Sequence, residues 1–432
     1  MTRWSAPRIG RGTHAAAVRV SGPVLCLLLA LALASAPAST ADVLSGAGLR
    51  TNLQVALWET GIPGEKEALQ QLVFGFQRAN PDVIVCLEWQ DVSLQDEWTR
   101  RWCGGQREYA PDVTVMTERR AWEHRHELLD LPDDLGRQLR RDFEPAVMRR
   151  LPGSARGVPW SVATYALYYR PDLFEDAELA LPRTLDALAE CAEALADPPR
   201  RFGLGLPQPL GGGSELLHAL ALAIGQAPAR EDADGNEEPE AGQSPRPDEP
   251  DYASALELLL DMQSRGALQP ETLTWTDGEL LDLFVEGRLA MLIAPISAAR
   301  TLRGAEAAPE WAAAPLPVAD EGMGHLSSEW MVIFGSTNRR DNATRLLRYI
   351  AERESQRMLA MMPGVPAMRS IADELRDQSP WRAHIAALEG AEGVPHARWD
   401  RLRPQLGEAL AYALSGRLTP REALSLARGA GD

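Results

Sequence analysis

Two short runs bring chemistry-bearing side chains to places where an extended segment stops. "LQVALW" (Leu53 to Trp58) gives way to Glu59 and Thr60, and "PDVTVM" gives way to Thr117 and Glu118. An aromatic ring beside a carboxylate can stack a flat apolar face and accept hydrogen bonds in one place. Stacking between aromatic pairs contributes ~0.5–1.5 kcal/mol and a hydrogen bond to a charged group ~1.5–3 kcal/mol. A third run, "GVPWSVATYALYYRPDLF" (Gly157 to Phe174), sets Trp160, Thr164, Tyr165, Tyr168 and Tyr169 in an alternating apolar frame. Such rings either pack a core or line a site. Metal chemistry has little support, because no CxxC or HExxH spacing occurs and His124 and His126 share no i,i+4 helical face.

The elements that must hold these residues follow from periodicity. After "LQVALW", Leu69, Leu72, Val73 and Phe76 recur at helical spacing; "DVIVCLEW", a further helical stretch and "PDVTVM" come next. Strand alternating with helix predicts a parallel sheet, and in such sheets ligands sit beyond the carboxyl ends of the strands. That rule is what selects Trp58, Glu59 and Thr60 after the first strand and Thr117 and Glu118 after the third. Further along, Thr184 is a predicted N-cap for "LDALAECAEAL", and "RFGLGLP" reads as a strand entering a glycine-rich turn. Residues 230–251 hold many acids and prolines and almost no apolar side chain, which predicts a solvated loop. Helical spacing covers Tyr252 to Arg265, "DGELLDLFVEG" and "NATRLLRYIAERESQRMLAMM"; "RLAMLIAP" and "SSEWMVIF" read as strands. Thr419, Pro420 and Glu422 form a capping box that opens a last helix.

Charge and the first residues limit the partners. Arg3, Arg8, Arg11 and Arg19 precede the apolar run Val24 to Ala34 and the small-residue stretch Ser35 to Ala41, the layout of a cleaved signal peptide, residues 1–41. The run is shorter than the ~20 apolar residues that span a bilayer. Cleavage removes four arginines and no acid, taking the formal charge from −17 to −21. A surface this anionic repels nucleic acid and anionic lipid. Cys86, Cys103 and Cys191 remain, an odd number that allows at most one internal bridge, with Cys86 and Cys103 the nearer pair.

Several segments, in this order, resemble the extracellular solute-binding proteins of ABC importers, in particular the maltose-binding-like family that serves sugar transporters. "GVPWSVATYALYYRPDLF" matches a family pattern of glycine, small apolar residue and proline leading to "ALYYN-DLF", with Arg170 and Pro171 in place of Asn-Lys. "LPRTLDALAECAEAL", "FVEGRLAMLIAP", "SSEWMVIFGSTNRRDNATRLLRYIAERESQ", "GVPAMRS" and "LSGRLTPREALSLA" are similar to later family stretches. The likeness runs from about Leu53 to the end, broken mainly by the acidic loop.

The resemblance implies an α/β, bilobal periplasmic-binding-protein fold: two sheet-centred lobes joined by interlobe crossover strands. The first lobe would take residues 42–162 and 321–372, and the second 163–320, with its acidic loop, and 373–432. It implies capture of a carbohydrate by lobe closure, delivery to a membrane permease, an extracytoplasmic monomer, no cofactor and no catalysis. Ligand contacts would come from Trp58, Glu59, Thr60, Thr117 and Glu118. Thr164 and Tyr165 lie where the chain would pass the cleft, and Gln208 borders the glycine-rich turn. Trp275, Trp330 and Arg369 complete the set with Ser297, which stands where the family commonly has a tryptophan and so removes one stacking platform. Glu329 beside Trp330 reads more simply as surface. Two rivals stay open: a ferric-iron binding protein using the adjacent Tyr168 and Tyr169 as phenolates, and an exported glycosidase, which needs two acids ~5–10 Å apart.

Overall fold

A computed structural model describes residues 50–59, 65–104, 109–150, 156–225, 250–319, 322–362, 364–391 and 396–429. The expected signal peptide, Thr60 and nearly all of the acidic loop lie outside these residues. Strands β1 (Thr51–Glu59), β2 (Val83–Asp91) and β3 (Val113–Thr117) form where the apolar runs predict them. β1 is parallel to both neighbours, giving the order β2-β1-β3, with a helix (Glu65–Ala79) between β1 and β2. Being central, β1 buries Leu53, Val55, Ala56, Leu57 and Trp58, as a strand covered on both faces must.

The run of rings from Gly157 is one long strand, β4 (Gly157–Tyr169), that changes partners midway. Residues 157–164 pair antiparallel with β8 (Leu326–Ile333), which in turn pairs antiparallel with β3. Residues 165–169 pair with β6 (Leu289–Pro295), and 166–169 pair also with β7 (Ala312–Pro315). β5 (Phe202–Gly205) completes the order β2-β1-β3-β8-β4-β6-β5 by running parallel to β6. The register of β4 on β8 slips between Pro159, opposite Trp330, and Ser161, opposite Glu329, so Trp160 is the extra residue of a β-bulge.

Two main apolar cores flank this exchange. The first collects Leu53 to Val162 and Leu326 to Ala391, including Trp58, Phe76, Trp102, Phe143, Trp330 and Leu347. The second collects Tyr165 to Ile293 with Leu316 and the C-terminal residues Leu406 to Ala427. A smaller cluster gathers Tyr168, Phe202, Phe284 and Ala383 on the other face of the β4–β6 ladder. Side chains of a strand alternate in direction, which explains why Leu167 enters one of these clusters and Tyr168 another. Leu375, Trp381, Ile385 and Leu388 pack in the first core.

Local signals explain most element ends. Thr184 Oγ1 accepts from the Ala187 amide at 3.1 Å and starts the Leu185–Leu195 helix. Thr419 and Glu422 exchange the two bonds of a capping box before the Pro420–Gly429 helix. The expected continuous helix over "NATRLLRYIAERESQRMLAMM" is instead two, Arg340–Ile350 and Arg353–Met361. Glu352 takes an extended conformation, and the Gln356 amide, donating to Ile350 O and Pro159 O at 3.0 Å each, fills the carbonyl left open by the break.

Candidate functional site

Where β3 ends and β8 begins, beside the step in β4, a cavity of about 570 Å³ opens between the two main cores. Val92, Ser93, Gln95 and Asp96 follow β2; Thr117, Glu118 and Arg119 follow β3; Ser327, Ser328 and Glu329 come from β8. Facing them are Glu215 and His218 on the Ser214–Ile224 helix, and Arg403 on the His396–Leu414 helix. Past the bulge at Trp160, Ser161 and Ala163 of β4 face the cavity.

The deepest feature is a bonded relay. Trp330 Nε1 donates to Ser328 Oγ at 2.9 Å, Ser328 Oγ donates to Glu118, and Arg150 grips Glu118 through Nε at 2.9 Å and through Nη2. Arg150 Nη2 also donates to the Leu326 carbonyl at 3.3 Å. Glu118 and Arg150 are both buried, so the pair is held by mutual charge and satisfied bonds rather than by water. On the opposite wall Arg403 lies 3.3 Å from Glu215, and Tyr165 donates its hydroxyl to Glu215 at 3.2 Å. Burial pushes the Glu215 carboxyl pKa up, against the pull of Arg403.

Three rings bring the halves together at the cavity. His325 meets Tyr165 edge-on at 5.2 Å and His218 at 5.5 Å; His218 Nδ1 lies 2.9 Å from the Tyr252 hydroxyl. Burial lowers the His325 pKa to about 4 and holds His218 well below the usual histidine value, so both rings are neutral near pH 7. The Nδ1 of His325 is buried without a hydrogen-bond partner.

The twelve residues expected at the ligand separate into clear groups. Thr117 and Glu118 line the cavity, and Tyr165 adjoins it through Glu215 and His325. Thr60 is outside the described residues. Trp58 sits in the first core with its Nε1 donating to Val115 O at 2.6 Å and its ring 5.8 Å from Trp102. Glu59 is exposed and paired with Lys66. Trp330, 1% exposed, packs in the first core and bonds Ser328 through its indole, while Ser328 and Glu329 line the cavity. Thr164 on β4 is buried, and its hydroxyl donates to His384 O at 3.1 Å.

The glycine-rich turn also serves the fold. A Cβ on Gly212 would stand 2.2 Å from an Asp277 carboxylate oxygen, and the backbone N–H of Gln208 donates to Trp275 O at 2.7 Å. Trp275 packs against the third cluster, Ser297 opens the Ser297–Gly304 helix, and Arg369 is exposed at the start of the Arg369–Leu375 helix. None of these four lines the cavity, and among the described residues no tryptophan does. Sequence reasoning missed Glu215, His218, His325, Arg150 and Arg403. A histidine inside the apolar helix "SELLHALALAI" was the one local signal among them.

The family model for bacterial extracellular solute-binding proteins matches residues 63–357. The chain belongs to this family. Compared by sequence, no curated protein matches this solute-binding protein. Its fold is that of bilobal α/β binding proteins of known structure. The maltose-bound MalE3 of T. maritima superposes with a TM-score of 0.71 at 19% identity, covering 88% of this chain and 99% of that one. An ABC substrate-binding protein of Listeria monocytogenes in complex with cycloalternan gives 0.70 at 18%, covering 88% and 98%. An ABC transporter solute-binding protein of Agrobacterium radiobacter in complex with ribitol gives 0.68 at 17%, covering 89% and 98%. The adjacent tyrosines of this solute-binding protein point to opposite faces of β4: Tyr168 is within 2.9 Å of His384 Nε2 and Tyr169 packs on Phe174, so they do not share a metal. No helix among the described residues is long and apolar enough to cross a membrane.

Proposed function

We propose that this protein is the exported binding component of an ABC importer, that it captures a carbohydrate or polyol in the cavity between its two cores, and that it hands the solute to a membrane permease. The observation that carries the reading is the cavity itself, whose polar lining comes from both halves of the chain. Its volume falls within the ~300–1,000 Å³ range of small-molecule sites. Hydroxyls of a sugar or polyol are donors and acceptors at once, and Glu118, Glu215, Arg403, Ser161 and Ser327 offer fixed complements. Three or four charge-assisted hydrogen bonds, ~1.5–3 kcal/mol each before ordering costs, suffice for a micromolar affinity of about −8 kcal/mol. Stacking on Trp58 and Trp330 contributes less than the sequence implied, since both rings lie in the first core.

Both acids best placed for acid–base chemistry, Glu118 and Glu215, are engaged by arginines. This favours binding without turnover, and the family and its structural neighbours are binding proteins. Closure of the lobes about β4 would bring the two walls onto the solute, the closed form being favoured only by its extra contacts. We keep the lobe boundaries near residues 162 and 320 that the resemblance implies. The packing of Leu375, Trp381, Ile385 and Leu388 with the first core supports moving the third boundary to about residue 391.

A thermal-shift screen of the mature chain against sugars and polyols, followed by calorimetry, tests the reading. At least one member is expected to raise Tm and to bind with micromolar Kd, and Glu215→Ala or Arg403→Ala is expected to weaken it. A panel without any response, or hydrolysis of a bound glycoside abolished by Glu215→Gln, would overturn it.

A further inference from the structure

Acids and arginines on the cavity wall do not pair off evenly. Asp96 lies 2.7 Å from Arg120 and 3.3 Å from Arg119, Glu118 is held by Arg150, and Glu215 by Arg403. Glu329 is the remaining carboxylate of the lining, and among the described residues it has no cationic partner; its hydrogen bond is to the side chain of Gln95. Its place is central: across the sheet it stands opposite Thr117 on β3 and Ser161 on β4, both cavity residues.

Glu329 is only partly exposed, and it lines the cavity. Burial raises its carboxyl pKa, the Gln95 bond offsets this only in part, and nearby Glu65 adds to the rise. A carboxylate in such a place gains more from a cation than from another neutral donor, because an ammonium adds a charge–charge attraction to the hydrogen bond and the surrounding protein screens that attraction weakly. A second group on the same lining, the buried Nδ1 of His325, also lacks a partner. Hydroxyls around the acid, Ser161, Ser327 and Thr117, suit a ligand whose charged group sits among hydroxyls.

Resting on the carbohydrate reading above, we propose that Glu329 is a specificity-determining residue that selects ligands carrying a protonated amine beside hydroxyls, amino sugars or amino polyols, over their neutral counterparts. The acid accepts the ammonium protons, and the flanking side chains bond the neighbouring hydroxyls. No bond is made or broken.

Calorimetry on the full mature chain with matched pairs tests this: glucosamine against glucose, galactosamine against galactose, and glucamine against sorbitol, with N-acetylglucosamine as an uncharged control of similar shape. The amine of at least one pair is expected to bind about tenfold or more tightly than its neutral partner, with acetylation abolishing the gain. Glu329→Gln should reduce that ratio to about two while neutral binding persists, and Glu329→Asp should retain part of it. An unchanged apo Tm, or a raised one, would show that the Gln variant is folded. Neutral members binding as well as amines overturns this inference and leaves the carbohydrate reading standing; so does an amine preference that survives Glu329→Gln. A complete lack of binding by every pair overturns the carbohydrate reading, and this inference with it.

Discussion

Replacing Arg150 by methionine removes the cation from Glu118 while nearly preserving the volume of the arginine stem. Each side chain of this pair is 9% exposed, so water cannot replace the lost partner cheaply. Glu118 would keep the Ser328 hydroxyl but lose both guanidinium bonds, and Leu326 O would lose its bond at 3.3 Å. Breaking one side of a buried pair costs ~3–5 kcal/mol, most of it the isolated charge rather than the worth of the bridge. The double variant Glu118→Gln with Arg150→Met removes that charge and keeps a polar group for Ser328, so it should recover all but ~1–2 kcal/mol. Urea unfolding followed by tryptophan fluorescence measures both, because a loss of ~3 kcal/mol moves the midpoint by about 1 M or more at an m-value of ~1–3 kcal/mol/M. A loss below ~1 kcal/mol in the single variant would show that the carboxylate rehydrates from the cavity. A double variant no more stable than the single one would show that the damage is steric. Either result would refute the reasoning.

Other expectations are more compact. His384 is fully buried, its Nδ1 donating to Thr164 O at 3.1 Å and its Nε2 accepting from Tyr168, and burial lowers its pKa from 6.5 to about 4. The unfolded chain therefore takes up this proton first: the stabilisation is complete above pH 6.5 and is lost as pH falls toward 4, ~3 kcal/mol in all. His384→Gln should flatten the dependence of the urea midpoint between pH 7 and 4.5, and equal slopes in the two proteins would contradict the assignment. Trp330→Phe should cost ~1–3 kcal/mol through the lost Ser328 bond and leave solute affinity within about threefold by calorimetry, since the ring is inside the core. Deleting Trp160 should remove the bulge while leaving Ser161 opposite Glu329 and Ala163 opposite Ser327, so solute affinity should stay within about threefold by calorimetry; loss of binding would mean that the bulge itself shapes the cavity.

Much of the fold was legible because it is local. Periodicity located every strand of the first sheet, and Thr184 and Thr419 mark helix starts by side-chain bonds within three residues. The cavity lining was legible where a strand-end rule applied, at Thr117 and Glu118. It failed at Trp58 and Glu59: the indole of Trp58 turns into the core, and residues after β2, Gln95 and Asp96, take the place at the cavity. At Trp330 the right segment was found, but depth along β8 is not written in hydrophobic alternation: Ser327, Ser328 and Glu329 line the cavity and Trp330 is buried in the first core. Glu215 and Arg403 are nearly two hundred residues apart in sequence and meet only through the packing of two helices. Such tertiary pairs leave no periodic trace.

Between Thr164 and Tyr165, β4 exchanges β8 for β6 and β7 within one peptide unit, a span of about 3.8 Å. This leaves no slack tether at the exchange. Shearing one half past the other would tear ladder bonds on both sides of the step, whereas pivoting spends backbone torsion there and where the chain crosses again between the halves. The permitted motion is therefore angular, and a torsional probe astride residues 163–166 would register the swing that a distance ruler along the strand would not.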